Sequence, residues 1–279
     1  MSQDKPSTGS VAYNKGMDFP YWHRQTPGTP LYPDIEWSKP EQRSLAGRLA
    51  IVGGNKLGFA GVAEAYQVAT SAGVGETRVL LPDVLRKTIP STITDSLYGP
   101  TNPSGSLTRE ALSDICALGT WAQSVLLIGD AGRSSETAIL YEDFVRQYTG
   151  QLVVTRDAVD LLKNASAVLL ERPETLLVIS FAQLQKLFQS VYYPKVLTFS
   201  MQLTNLIEAL HKFTITYPSI IAVLHKETFI IARNGEVVTT PWDSPMAIWR
   251  GSVATRAAAY WLWSPNKPLE AIATSLATR

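Results

Sequence analysis

The chain has 279 residues, of which 45% are hydrophobic and 18% charged, and its formal net charge is +1. These values are typical of a globular protein with a sizeable core, and the balanced charge argues against a nucleic-acid or membrane-surface partner. No run approaches the 18 apolar residues of a membrane span, and the polar start from Met1 to Ser10 lacks the apolar segment of a secretion signal. We therefore expect a cytoplasmic protein.

Cysteine and histidine usage predicts neither a disulfide nor a metal site. Cys116 is the only cysteine, which excludes an internal disulfide, and its apolar helical surroundings favour an inert core residue. The histidines His23, His211 and His225 are scattered and lack the spacing of metal ligands.

The first 45 residues differ in composition from the rest, because prolines and aromatic residues recur throughout them. Repeated proline prevents a regular helix or a central strand, whereas a purely disordered tail would contain few aromatics. We predict an N-terminal arm over residues 1–45 and a single domain over residues 46–279. The surface on which the arm lies could belong to its own domain or to a neighbouring subunit.

From Arg48 onward, short apolar runs alternate with helical patterns. The predicted strands are Leu49–Val52, Arg78–Leu81, Val125–Ile128, Leu152–Thr155, Leu176–Ile179 and Ile220–Leu224. The predicted helices between them are Ala60–Ala72, Arg109–Ala122, Ser134–Tyr148, Asp157–Leu162, Phe181–Val191 and Leu197–Phe213. Continuous apolar runs suit strands that are covered on both faces, so the pattern predicts a three-layer α/β fold with a mostly parallel sheet.

A hairpin and two helices are predicted at the end of the chain. Asn234-Gly235 separates the strand candidates Thr228–Ala232 and Glu236–Thr240, and both of these residue types tolerate the positive φ of a tight hairpin turn. Helices over Pro245–Trp263 and Pro268–Ala277 complete the chain.

A glycine-rich segment, Gly53-Gly54-Asn55-Lys56-Leu57-Gly58-Phe59-Ala60-Gly61, follows the first predicted strand and opens a helix. Glycine permits tight turns, and the free amides of a helix start attract phosphate. The spacing fits neither the Rossmann pattern nor the Walker P-loop. Glycine content alone leaves a phosphate-binding loop and a plain tight turn equally open.

The longer stretch from Leu49 to Pro82 closely resembles the start of the NAD(P)H-hydrate dehydratase domain, which begins with a strand, a Gly-Gly loop, a small-residue helix and a second strand. Later segments resemble it more loosely. Gly129-Asp130-Ala131-Gly132 looks like the family's Gly-Pro-Gly loop, and Leu152–Asp157 looks like its aspartate-bearing strand. The similarity covers roughly residues 45–279 and implies the ribokinase-like fold of the carbohydrate-kinase-related proteins.

The resemblance also implies a reaction. Members of the family use ATP or ADP, here expected with Mg²⁺, to dehydrate hydrated NADH or NADPH, a carbon–oxygen lyase reaction of metabolite repair. A Gly-Ser/Thr-Gly-Asp motif at a late helix start holds the phosphate oxygens through backbone amides, and its aspartate acts on the substrate hydroxyl. The implied partner is a nucleotide or nicotinamide-type small molecule, and a homo-oligomer is expected.

This sequence departs from the family at the catalytic motif. Matching Met246-Ala247 to the family's Met-Ala places Arg250-Gly251-Ser252-Val253 at the motif, so Val253 stands where the aspartate should be. Phe181 stands at the family's histidine, and Leu184 stands at the acidic residue that follows it. Because valine cannot accept a proton, the sequence predicts that the catalytic motif has been lost.

Three acids are candidates to replace the missing carboxylate: Asp130, Asp157 and Asp243. Each is also explained as a helix cap or a solvated loop acid. The nucleotide- or substrate-binding residues that the resemblance implies are Gly53, Gly54, Asn55, Gly58, Gly61, Gly129, Gly132, Lys226, Trp249, Arg250, Gly251 and Ser252. Trp249 replaces a family glycine, and its indole is expected to fill part of the nucleotide site.

Three hypotheses follow. The first is a degenerate dehydratase-like protein that still binds a nucleotide or nicotinamide metabolite. The second is an active NAD(P)H-hydrate dehydratase with a relocated acid, and the third is a ribokinase-like small-molecule kinase.

Overall fold

The computed structural model of the chain describes residues 19–278, and its strands form one sheet. The strands are β1 (Trp22–Arg24), β2 (Arg48–Gly53), β3 (Glu76–Pro82), β4 (Ser96–Gly99), β5 (Ser124–Gly129), β6 (Gln151–Thr155), β7 (Thr175–Ser180), β8 (Ile220–His225), β9 (Thr228–Arg233) and β10 (Glu236–Pro241). The helices are α1 (Ala60–Ala72), α2 (Leu112–Trp121), α3 (Ser135–Gln147), α4 (Asp157–Leu161), α5 (Ser166–Glu171), α6 (Phe181–Ser190), α7 (Leu203–Thr216), α8 (Pro245–Arg250), α9 (Ser252–Trp263) and α10 (Pro268–Ala277).

Within the described residues the sheet order is β1-β10-β9-β8-β7-β6-β5-β2-β3-β4. All neighbours pair in parallel except β8–β9 and β9–β10, which are antiparallel. One face of the sheet packs against α2 to α7 and the other against α1, α8, α9 and α10, so each face has its own apolar core. The predicted three-layer α/β fold with a mostly parallel sheet is confirmed.

Several elements agree closely with the sequence pattern. Helices α1 and α10 have the predicted bounds, and every predicted strand overlaps an observed one. The hairpin turn is present, because Asn234 and Gly235 adopt φ values of 50° and 83°. Cys116 is half-buried in α2, and burial raises the pKa of its thiol. In the part of the chain that is described, no helix is both long enough and apolar enough to cross a bilayer.

Two predicted helices differ most clearly from the observed ones. The single helix expected from Pro245 to Trp263 is interrupted at Gly251, which has a φ of 89° and both ends α8 and begins α9. The helix expected from Leu197 begins instead at Leu203, because Leu197 belongs to a loop whose carbonyl accepts a hydrogen bond from the Gln185 side chain.

Residues 19–45, the described part of the proline- and aromatic-rich segment, pack on the same chain. Strand β1 adds to the sheet edge beside β10, in parallel register with Trp22 opposite Val237. The buried Gln25 amide donates to the Thr240 hydroxyl and to the Ala273 carbonyl oxygen. An edge position is the one that a proline-rich segment can occupy in a sheet. Residues 1–18 lie outside the described residues, and the boundary at residue 45 stays a prediction.

Candidate functional site

Ligands of open α/β sheets bind at the carboxyl ends of the parallel strands. Here the ends of β2 and β5 approach so closely that a Cβ on Gly53 would lie 2.3 Å from the Gly129 carbonyl oxygen. The Gly54 N–H, at a φ of 81°, donates to that same oxygen at 2.9 Å. We call this region, with the starts of α1, α4 and α9 that surround it, the central edge. It brings together Gly53, Gly54, Gly61, Gly129, Asp130, Asp157 and Gly251 of the predicted site.

The amides from residue 54 to residue 58 of the glycine-rich segment are hydrogen-bonded within the protein. The N–H groups of Asn55 and Gly58 donate to each other's carbonyl oxygens at 2.9 and 3.0 Å. The Lys56 N–H donates to the Gly105 carbonyl oxygen, and the Leu57 N–H donates to the Asn55 side chain at 2.7 Å. Because these donors already have acceptors, this arrangement has the hydrogen bonding of a closed turn rather than of a phosphate cradle.

Asp130 forms an ion pair with Arg156 at the centre of this edge. One of its carboxylate oxygens accepts from Arg156 Nη2 at 2.5 Å, and the other accepts the Gly61 N–H at 2.6 Å. The two charged side chains are 18% and 20% exposed. The helix-start amide that would attract a phosphate therefore holds a carboxylate of the same chain.

Arg156 is the central residue that sequence reasoning missed. Its guanidinium lies against Gly61, since a Cβ on that glycine would be 1.6 Å from Arg156 Nη1. A Cβ on Gly251 would be 3.6 Å from Arg156 Cδ, so the side chain extends between the starts of α1 and α9. Arg156 has a φ of 57°, a conformation that is costly for a residue with a side chain and that concentrates at functional sites.

Asp157 holds the loop that follows β5 through two hydrogen bonds. Its carboxylate accepts the backbone N–H groups of Asp130 at 2.7 Å and of Ala131 at 3.1 Å. Burial raises the pKa of the Asp157 carboxyl, although the bonds to Asp130 and its own backbone oppose that shift. The two oxygens are thus engaged in holding the strand end rather than directed at a ligand.

The other residues at the altered motif, and Asp243, are packed in the core, bonded to backbone or exposed. Val253 is 6% exposed and packs in the apolar core below α9, together with Val62. The Ser252 hydroxyl donates to the Ala247 carbonyl oxygen at 2.8 Å. Asp243 is exposed in the loop before α8, and Arg250 is exposed at its end.

Two predicted residues line a cavity at the carboxyl ends of β7 and β8, which we call the side cavity. It has a volume of about 360 Å³ and is mostly apolar. Its lining residues are Ile179, Ser180, Phe181, Ala182, Gln185, Phe199, Leu224, Lys226, Ile248 and Trp249. Lys226 and Trp249 were predicted, whereas Phe199 was missed because its loop was expected to be helical.

A buried histidine packs against two aromatic residues of the cavity wall. His225 is 2% exposed, and its ring lies 4.8 Å from that of Phe181 and 5.6 Å from that of Phe199. Neither ring nitrogen has a hydrogen-bond partner of good geometry among the described residues, although the Met201 backbone is near enough to favour the protonated ring. Burial is the larger effect and lowers the pKa of His225, which favours the neutral form of its ring.

Other predicted residues lie outside both regions. Asn55 and Gly132 are neighbours, since a Cβ on Gly132 would be 2.8 Å from the Asn55 amide nitrogen, but they do not reach the side cavity. Gly58 has open space around it. Among residues 19–278 there is no cluster of three or more side chains able to hold a metal ion.

Comparison with known proteins agrees with this architecture. No family model and no curated sequence matches the chain. A ribokinase-like superfamily protein from Enterococcus faecalis has a TM-score of 0.69 at 15% identity over 95% of this chain and 88% of its own. The ADP/ATP-dependent NAD(P)H-hydrate dehydratase from Bacillus subtilis, co-crystallised with ATP and Mg²⁺, has a TM-score of 0.56 at 11% identity over 88% of this chain and 85% of its own.

A third neighbour, the phosphomethylpyrimidine kinase from Clostridium difficile, has a TM-score of 0.51 at 12% identity over 82% of this chain and 97% of its own. The chain therefore has the ribokinase-like fold. Its structural neighbours include an NAD(P)H-hydrate dehydratase, as the sequence resemblance predicted, and identities of this size show the fold alone.

Proposed function

We propose that this protein is dehydratase-like in fold, has lost ATP-dependent catalysis, and binds a nucleotide- or nicotinamide-type metabolite. The pairing of Asp130 with Arg156 at the start of α1 carries the proposal. Phosphoryl transfer needs helix-start amides that face phosphate oxygens and a carboxylate that reaches the reacting hydroxyl. At the central edge the Gly61 amide and the Asp130 carboxylate bond each other instead.

The other acids do not supply a replacement in this arrangement. Asp157 uses both oxygens to hold the backbone of residues 130 and 131. Asp243 is exposed in the loop between β10 and α8. Val253, at the position that matches the family's aspartate, packs among apolar side chains. None of the three candidate acids, Asp130, Asp157 and Asp243, is therefore both at the central edge and free of a bond to the protein there.

The side cavity supports the binding half of the proposal. Apolar and aromatic walls with a few polar groups are typical of small-molecule sites. The Trp249 indole and the Phe181 ring offer faces for a planar ring, and the Lys226 ammonium can pair with an anionic group of the ligand. Among residues 19–278 no carboxylate lines the cavity. Its described walls therefore suit a ligand with a planar ring and an anionic group, and they lack the carboxylate ligands that Mg²⁺ prefers.

An active dehydratase with a relocated acid is the competing hypothesis. One observation favours it, because Asp130 occupies the central edge beside Arg156 and Gly61, where a reacting hydroxyl would be expected. It requires that Asp130→Asn, Asp157→Asn or Asp243→Asn abolish turnover. A small-molecule kinase would need the same free carboxylate, and it would consume ATP with at least one member of an alcohol panel.

Activity is tested by incubating the purified protein with hydrated NADH, Mg²⁺ and either ATP or ADP, and following recovery of NADH by its absorbance. We expect no nucleotide-dependent recovery above the protein-free reaction. Recovery at the rates typical of enzymes would overturn the proposal. In that case the three Asp→Asn variants would identify the acid.

Binding is tested by thermal unfolding with ATP, ADP, AMP, NADH and NADPH, because a ligand of the folded state raises the Tm by mass action. We expect at least one ligand to raise it, and Trp249→Ala to remove that rise. The matched control is Trp37→Ala, which truncates a tryptophan that is 88% exposed and does not line the cavity. A rise that survives Trp249→Ala, or no rise with any ligand, would count against the side cavity.

A further inference from the structure

A second concave region lies between α1 and the α8–α9 turn. It has a volume of about 570 Å³, and we call it the basic groove. Three cations, Lys39, Arg250 and Arg256, line it together with one acid, Glu64. Trp249 and Arg250 are consecutive residues, yet they line different cavities.

The positive charge of the groove is not compensated by ion pairs. None of its three cations forms a salt bridge with any residue from 19 to 278. The Lys39 ammonium lies 5.3 Å from the centre of the Trp263 ring. One nitrogen of Arg256 donates to the Thr278 carbonyl oxygen, while its buried Nε has no acceptor among the described residues. Three cations facing one acid are suited to an anion.

A smaller cavity of about 220 Å³ adjoins the groove and shares Val68 and Arg256 with it. Trp242, Val253 and Leu276 give it apolar walls. Three of its polar side chains are bonded within the protein, because the Trp242 indole N–H donates to the Ser244 carbonyl oxygen and the Ser252 and Ser275 hydroxyls donate to backbone oxygens. The combined site thus has a cationic outer end and an apolar inner end.

We infer that the groove and its adjoining cavity bind a small phosphorylated molecule. Its phosphate lies between Arg250 and Arg256, since guanidinium groups match the geometry of phosphate oxygens. Lys39 lies beside Trp263 at the other end of α9 and adds positive charge at longer range. Its ring or short apolar chain lies against Trp242 and Val253. An aliphatic residue at position 253 fits this role, because a carboxylate there would repel the phosphate. The inference does not depend on what the side cavity binds.

The test uses phenyl phosphate, with inorganic phosphate and phenol as its two halves, measured by titration calorimetry on the full chain. We expect phenyl phosphate to bind at least tenfold more tightly than either half. Arg250→Gln should weaken it several-fold and Lys39→Gln should weaken it less, and both change exposed residues, so folding is preserved. Arg146→Gln, an exposed arginine on α3 in the opposite helix layer, should leave binding unchanged.

Three results would overturn the inference. The first is an absence of phenyl phosphate binding at millimolar concentration, and the second is binding that Arg250→Gln does not weaken. The third is binding that is lost in Lys226→Gln, which would place the ligand in the side cavity. The nucleotide experiment with Trp249→Ala is read separately, so failure of one proposal leaves the other standing.

Discussion

The central edge and the side cavity lie along the same sheet margin, yet they are filled in opposite ways. At the central edge, glycine backbones touch and the Asp130–Arg156 pair occupies the start of α1. At the side cavity, aromatic rings surround open space of about 360 Å³ and Lys226 lies on its lining. The contrast teaches that one margin of a ribokinase-like sheet can be closed by packing and an ion pair at one point and leave an open, mostly apolar cavity at another.

The largest expected effect concerns the tightness of the central edge. Gly53→Ala would place a methyl group 2.3 Å from the Gly129 carbonyl oxygen, which is backbone and cannot rotate away. We expect the free energy of unfolding in urea to fall by about 3 kcal/mol. Gly58→Ala is the matched control, because no atom lies within 4 Å of its added Cβ, and it should change stability by less than about 0.5 kcal/mol. Equal losses would mean that the central edge is not closely packed.

A smaller effect is expected from the ion pair. Asp130→Asn retains a side chain that tolerates the φ of 54° but removes the charge that faces Arg156. We expect a loss of about 2 kcal/mol in urea unfolding, because a hydrogen-bonded, mostly buried cation is left unpaired. Combining it with Arg156→Met should cost less than the sum of the single changes, which a double-mutant cycle measures.

The exposed pair of Asp160 and Lys186 provides the control for this cycle. Their charged atoms are 3.1 Å apart, and the side chains are 48% and 69% exposed. Asp160→Asn should cost less than about 1 kcal/mol, as is usual for surface ion pairs. Additive effects of Asp130→Asn and Arg156→Met would contradict the view that the two residues form a unit.

The fold was predictable because it depends on local patterns. Continuous apolar runs identified β2, β5, β6, β7 and β8, whose side chains are buried on both faces of the sheet. Strands β1 and β4 were not predicted, because they are short edge strands with half-exposed residues and no continuous apolar run. The break at Gly251 was missed because its flanking residues all suit a helix. Its φ of 89° and its packing against Ile128 both show why glycine is required there.

The candidate site was predictable only in part. The glycine pattern located the central edge, and the missing aspartate at position 253 indicated altered chemistry. Arg156 carries no signal in the sequence, because its importance comes from a long side chain that crosses from β6 to Gly61 on α1. His225 was set aside as an isolated histidine, and its contacts with Phe181 and Phe199 arise from tertiary packing alone.

The smallest expected effect concerns the pH response of the side cavity wall. The folded protein lowers the pKa of His225 by burying the ring, whereas the unfolded chain exposes it with an ordinary pKa of about 6.5. The stabilisation that comes from burying the neutral His225 ring is therefore fully present above the ordinary pKa of the unfolded chain. It is lost as the pH falls through it towards the lower pKa of the folded state, since the unfolded chain binds the proton first.

His225→Phe removes this titration and keeps a ring in the wall. Thermal unfolding of both proteins between pH 8 and pH 5 should therefore show a steeper fall in Tm on acidification for the unmodified chain than for the variant (range chosen to bracket about 6.5). Groups elsewhere in the chain titrate in both proteins, so the difference between the two curves isolates His225. Parallel curves would show that the ring gains a partner or solvent on protonation, and the side cavity would then be more adaptable than its aromatic packing indicates.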